Sequence, residues 1–139
     1  MVQLIVGQKG KGKTKELLDK VNREIQTASG NIVYLDKSAK HMYELNNKVR
    51  MIDVSRYPID TTASFLGFVS GIISQDHDLM QMYFDSFLKI AVVEPSDLVD
   101  AVMKLDALSK AFHVDFILSV SLDAAEIPDA IKENIIIAL

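Results

Sequence analysis

The chain contains no cysteine and no tryptophan. The first absence excludes disulfides and every cysteine-ligated zinc site. Histidine is scarce: His41, His77 and His113 lie far apart, without the spacing of metal ligands, and read as surface or boundary residues. Arginine is confined to Arg23, Arg50 and Arg56, all three expected at the surface. No apolar run approaches the ~20 residues that span a bilayer. No positively charged leader precedes an apolar stretch. The expectation is a cytoplasmic protein with no membrane partner. Linkers, internal repeats and low-complexity tracts are also missing, so residues 1–139 read as a single domain long enough to bury a real core.

A surplus of one charge is missing overall, the net charge being −4, but the halves differ. Residues 1–50 carry ten Lys and Arg against five Asp and Glu, whereas residues 51–139 carry five against fourteen. The basic part is short and no second basic face is evident, so nucleic acid is unsupported as a partner.

What is present is concentrated at the start. Behind the apolar run Val2–Val6 stands Gly7-Gln8-Lys9-Gly10-Lys11-Gly12-Lys13-Thr14, which fills every fixed position of the phosphate-loop pattern G-x-x-x-x-G-K-[ST]. The pattern works largely through backbone. Glycines let successive N–H groups turn inward on phosphate oxygens, and the following helix aims its free N–H groups and positive dipole end at the same anion. Lys13 supplies a mobile charge for the outer phosphates. Thr14 supplies a hydroxyl for a magnesium ion that keeps most of its waters. Lys9 and Lys11 lie outside the minimum pattern: they either enrich positive potential near the phosphates or are solvated loop lysines.

Apolar runs then alternate with helical periodicity, which predicts an α/β domain: a three-layer, mainly parallel sheet of about five or six strands with helices on both faces. Strands are expected near 2–6, 31–36, 49–54, 79–85, 116–121 and 135–137. Helices are expected near 13–28, 39–47, 62–73 and 97–112, with a last turn near 128–133. The first helix carries Leu17, Leu18, Val21, Ile25 and Ala28 on one stripe. It is expected to hold a Glu16–Lys20 pair and to end at Gly30. Gly67 and Gly71 are spaced for close helix packing.

A phosphate loop needs an acid at the end of another buried strand, and Asp36, Asp53 and Asp85 each end an apolar run. Asp85 is preferred as the magnesium-side acid, together with Thr14, because its run has the longest apolar approach and follows an apolar helix. Asp36 is expected toward the sheet's outer side, with a place near the nucleotide base or a substrate left open for it. Asp53 precedes Val54, so its strand may continue through it. Any of the three is also a candidate for capping a turn. Ser86 follows Asp85 where a water-activating glutamate would stand. Ser119 and Ser121 are either γ-phosphate sensors or satisfied strand serines, the second reading being favoured.

With the loop, the amphipathic helix, the second strand and Asp85 in view, the chain resembles the P-loop NTPase superfamily, strongly over residues 2–36 and more weakly beyond. The order of elements between loop and Asp85 is similar to the RecA-like and thymidine-kinase-like branch, and the chain is also similar to short, uncharacterised bacterial ATP-binding proteins. That resemblance implies binding of ATP or another nucleoside triphosphate with Mg2+. It does not carry over motor activity, because the acidic and histidine boxes of pilus-retraction ATPases are missing. Nor does it carry over thymidine phosphorylation, because the cysteine zinc site and the glutamate at position 86 are missing. The expected function is therefore triphosphate binding with slow or partner-dependent hydrolysis, as a switch or a subunit of an assembly with itself or another protein. The alternative is a small phosphotransferase using the same loop, with 37–62 as the segment available for a substrate pocket. A structural module whose loop no longer binds nucleotide is opposed by the intact Lys13 and Thr14.

Overall fold

Six short runs become strands: β1 (Val2–Val6), β2 (Asn31–Asp36), β3 (Arg50–Asp53), β4 (Leu79–Phe84), β5 (Asp115–Val120) and β6 (Ile135–Ala138), with Val, Ile and Leu leading in β1, β2, β5 and β6 and Met, Tyr and Phe in β4. The computed structural model describes residues 1–139. Its strands form one sheet in the order β3-β2-β4-β5-β1-β6, with every neighbouring pair parallel. Parallel strands need long crossovers, and those crossovers cover both faces of the sheet. This explains why Phe116–Val120 of β5 and the second half of β4 are buried without alternation.

The two faces are unequally covered. Helix α1 (Lys13–Glu24) packs its Leu17, Leu18 and Val21 stripe on one face, closing a cluster of ten buried residues. Helices α2 (Thr62–Ser74), α3 (Phe87–Ile90) and α4 (Leu98–Phe112) cover the other face around twenty-six buried residues. At the centre of that larger core the Phe65 ring meets Phe84 edge-on at a centroid distance of 5.3 Å. The expected three-layer α/β arrangement is present, and the sheet is wholly parallel.

Several local expectations are corrected. Helix α1 ends at Glu24, four residues earlier than predicted, and Gly30 is not its cap. A Cβ at Gly30 would lie 2.1 Å from the Asp78 carbonyl oxygen, so glycine there serves a close approach of two backbones. The ion pairs on α1 are Lys15–Asp19 and Lys20–Glu24 rather than Glu16–Lys20. Gly67 and Gly71 face open space, with no neighbour within 4 Å of an added Cβ, so they serve no close packing. The segment predicted helical at 39–47 forms only a short 3-10 turn, Met42–Glu44. Thr61 begins α2 as its sequence suggests, through a reciprocal capping box with Ser64.

Strand order sets the geometry of everything that follows. β5 lies between β1 and β4, so the carboxyl end of β4 is two strand spacings, ~10 Å, from that of β1. β2 is an interior strand next to β4, and β3 takes the edge. Asp36 is therefore not at the sheet's outer side as expected.

Candidate functional site

The parallel strands end on one edge of the sheet, and a cleft of about 620 Å³ opens there. Its walls come from the 7–14 segment, the residues just after β2, the β4–α3 junction and the end of β5. Leu88 is the one apolar residue of its lining.

The 7–14 segment runs directly from β1 into α1. Gly10 and Gly12 have φ of +87° and +100°, a backbone region that strains any residue with a Cβ. Gly12 sits at the N-cap of α1 without a side-chain cap. The N–H groups of Gly10, Gly12, Thr14 and Lys15 find no acceptor within the protein. Together with the positive end of a twelve-residue helix, they form a cluster of donors suited to an anion. Lys13 is buried and folds over the loop, its Nζ donating to the Gln8 carbonyl at 3.0 Å. Burial lowers its pKa from the ordinary lysine value, and the charge of Asp85 opposes that shift. Gly7 N–H donates to the Leu122 carbonyl at 2.8 Å, and the Gln8 amide donates to Asp123 and Glu126 at 3.1 and 3.0 Å, which ties the loop to the segment after β5. Lys9 lines the cleft, and Lys11 is exposed outside it.

Strand pleating sends Tyr34, Asp36, Tyr83 and Asp85 to the face that α1 covers. The register pairs Tyr34 with Tyr83 and Leu35 with Phe84. The Asp85 N–H continues that ladder to the Leu35 carbonyl at 2.9 Å, which sets Asp36 beside Asp85. Asp85 is 3% exposed, and both its oxygens are held. Oδ1 accepts from the Thr14 hydroxyl at 3.2 Å and from the Ser119 hydroxyl at 2.9 Å, while Oδ2 accepts from the Tyr34 hydroxyl at 3.1 Å. The Tyr34 phenol is held well above its ordinary pKa by burial first and by the charges of Asp85 and Asp36 next, so it remains a donor. Ser119 also accepts from the Ser86 N–H at 2.8 Å. Ser86 itself adopts a left-handed backbone with φ of 57°, a strained conformation at the turn from β4 into α3.

Asp36 differs. It is 2% exposed; its Oδ1 accepts from the Lys37 N–H at 2.7 Å, and its Oδ2 has no partner. Burial raises its pKa, the neighbouring Asp85 charge adds to that, and the Lys37 N–H, His41 and Lys37 oppose it. Asp53 belongs to none of this: it caps a 3-10 turn by accepting from the Ser55 N–H at 3.0 Å, and it lies outside the cleft.

The structure thus brings together Lys9, Gly10, Gly12, Lys13, Thr14, Asp36, Asp85, Ser86, Ser119 and Ser121 from the sequence-derived candidates, and leaves Gly7, Gln8, Lys11 and Asp53 outside the cleft lining. Glu94 and all three arginines lie outside the cleft lining. Reading from sequence missed Tyr34 and the bracing role of Ser119, which depend on strand register. It also missed the cations Lys37, Lys40, His41 and Lys89 around the cleft. Their position just past the ends of β2 and β4 was the available signal, since ligand sites of open parallel sheets gather at those ends. No group of three or more His, Cys, Asp or Glu is arranged to hold a metal, and no helix is long and apolar enough to cross a membrane. No protein-family model matches the sequence, and no curated protein matches it.

Proposed function

We propose that the cleft binds a magnesium-complexed nucleoside triphosphate, ATP in the first instance, and that the isolated protein hydrolyses it slowly, as a switch or a subunit awaiting a partner. The observation that carries this reading is the Thr14–Asp85 hydrogen bond of 3.2 Å, which joins the first turn of α1 to the end of a strand two positions away in the sheet. A loop pattern alone is a local feature. A hydroxyl from the helix and a carboxylate from a distant strand, meeting beside a cluster of free N–H donors, make a composite anion and cation site. The donor set suits magnesium: it is all oxygen, and it has few protein ligands, as expected for an ion that keeps waters and uses phosphate oxygens. Thr14 and Asp85 would hold it, and the bound ion would neutralise phosphate charge. Gly7 to Thr14 would cradle the phosphates, with Lys13 turning from the Gln8 carbonyl to the outer phosphates.

Slow turnover is supported by Ser86 at the position after Asp85 and by a cleft without arginine. The preference for ATP over GTP rests on the lack of a guanine-reading N/T-K-x-D motif. Calorimetric titration of ATP and GTP, with and without magnesium, tests the reading. Binding is expected to require magnesium. Lys13→Ala is expected to lose a charge-assisted contact of ~1.5–3 kcal/mol, a fall of roughly 10- to 150-fold in affinity. Asp85→Asn is expected to weaken the magnesium dependence. Unchanged binding in Lys13→Ala would sink the assignment of the loop.

A second reading, transfer of the phosphoryl group to an acceptor other than water, draws on Asp36, a second carboxylate in the cleft lining, whose buried Oδ2 has no partner.

A further inference from the structure

Magnesium and calcium are both hard cations, yet they ask different things of a carboxylate. Magnesium holds close to octahedral geometry, keeps several waters and takes few protein oxygens. Calcium accepts about six to eight oxygens in looser geometry, and a carboxylate that turns both oxygens to the ion serves it well. The two oxygens of Asp85 are not equally free to turn. Oδ1 accepts from Thr14 at 3.2 Å and from Ser119 at 2.9 Å, and both of those residues line the cleft. Oδ2 accepts at 3.1 Å from Tyr34, which does not line it. Tyr34 is fully buried in the core under α1 with Leu17 and Ile117, its ring stacked on Tyr83. Its hydroxyl donates to Asp85 Oδ2 and to no other acceptor. Turning Oδ2 into the cleft would strand a phenol O–H in an apolar core, which is the costly way to lose a hydrogen bond.

We propose that Tyr34 is a positioning residue that sets the metal preference of the site: by tying Asp85 Oδ2 into the core it leaves one carboxylate oxygen to the cleft, and so favours magnesium over calcium. The proposal rests on metal-dependent triphosphate binding at the loop. Tyr34 lies outside the cleft and acts through Asp85 alone. Strand register supplies the contact. Tyr34 of β2 stands opposite Tyr83 of β4, and pleating puts Tyr34, Tyr83 and Asp85 on the same face of the sheet, so the phenol reaches across to the acid just past the neighbouring strand's end. Tyr83 is the internal comparison. Its hydroxyl donates to Gln81 at 2.9 Å and has no bond to Asp85. Replacing either tyrosine by phenylalanine removes one hydroxyl from the same stacked pair, but only the change at Tyr34 releases Oδ2.

The probe is a non-hydrolysable β,γ-methylene analogue of ATP. Its binding is measured by calorimetry in saturating magnesium and again in saturating calcium, for the parent protein, Tyr34→Phe and Tyr83→Phe. The parent is expected to bind the analogue about tenfold or more tightly with magnesium than with calcium. Tyr34→Phe is expected to shift the ratio of the two affinities toward calcium by about tenfold, the effect of releasing one hydrogen bond to a buried carboxylate. Tyr83→Phe is expected to keep the parent's ratio within about twofold. Metal-dependent binding that is equally tight with both ions in the parent overturns the proposal, a result that needs no variant to fold. A ratio unchanged in Tyr34→Phe, or shifted as much in Tyr83→Phe, leaves Tyr34 a structural part only and also overturns it, while the triphosphate reading stands. Failure of the parent to bind the analogue, or binding that needs neither ion, defeats the triphosphate reading and the proposal with it.

Discussion

Asp85 and Asp36 end neighbouring strands of one sheet, face the same cleft and are equally hidden from solvent, yet they are provided for in opposite ways. Asp85 accepts from Thr14, Ser119 and Tyr34, so its charge is compensated by three hydroxyls from three elements. Asp36 accepts one backbone N–H and leaves an oxygen bare. A fully bonded carboxylate is a rigid part of the scaffold. A half-bonded one keeps a buried oxygen uncompensated, at a cost in stability. Two residues of the same type therefore divide the cleft into a framed side and an uncompensated side, and the division comes from their neighbours.

The comparison is broken most severely at the framed side. Asp85→Ala leaves three hydroxyls without their acceptor, two of them, on Tyr34 and Ser119, fully buried. A loss of about 2–4 kcal/mol in folding stability is expected, measured by urea denaturation. A change below ~1 kcal/mol would mean that the bracing is nominal. Tyr34→Phe keeps the ring, its stacking on Tyr83 at 6.2 Å and its burial, and removes a single donor. It should cost about 1.5 kcal/mol, as for other hydrogen bonds to a charged acceptor.

At the uncompensated side the sign reverses. The Asp36 carboxyl has its pKa raised by burial and by Asp85, whereas in the unfolded chain it releases its proton near the ordinary 3.8. Below that value both states hold the proton and Asp36 has no pH-dependent effect. As pH rises past it, the unfolded state ionises first, so stability falls until the folded-state value is passed, and the loss persists above. Asp36→Asn is thus expected to stabilise the protein at neutral pH, by about 1 kcal/mol, and to lose that advantage in acid. Thermal melts of both proteins across the acid range would show it. A variant less stable than the parent at neutral pH would contradict the unpaired state of Oδ2.

Much of this was legible along the chain. Val2 to Thr14 carries strand, turn and helix start in consecutive residues, and local chemistry suffices to read them: Gly10 and Gly12 adopt the left-handed backbone that only glycine takes freely. The Thr61 start of α2 and the six apolar strand runs are similarly local. What failed were features whose cause lies elsewhere in the fold. Gly30 looked like a helix cap and instead accommodates Asp78, nearly fifty residues on. Asp36 looked peripheral because strand order cannot be read from strand sequence: it takes the crossover from β3 to β4 to place β2 inside the sheet. Ser119 looked like an ordinary strand serine until β5 was inserted between β1 and β4, where its hydroxyl reaches Asp85.

By itself, then, the sequence determined an α/β chain with a glycine-rich loop between its first strand and first helix, because those features follow from backbone preference and apolar periodicity over a few residues. Which carboxylates share the cleft, which hydroxyls satisfy them and which one keeps a free oxygen were decided only by the tertiary structure. Hydrogen bonds depend on distances of about 3 Å between atoms of different strands, and the register of a parallel sheet sets those distances across residues far apart in the chain.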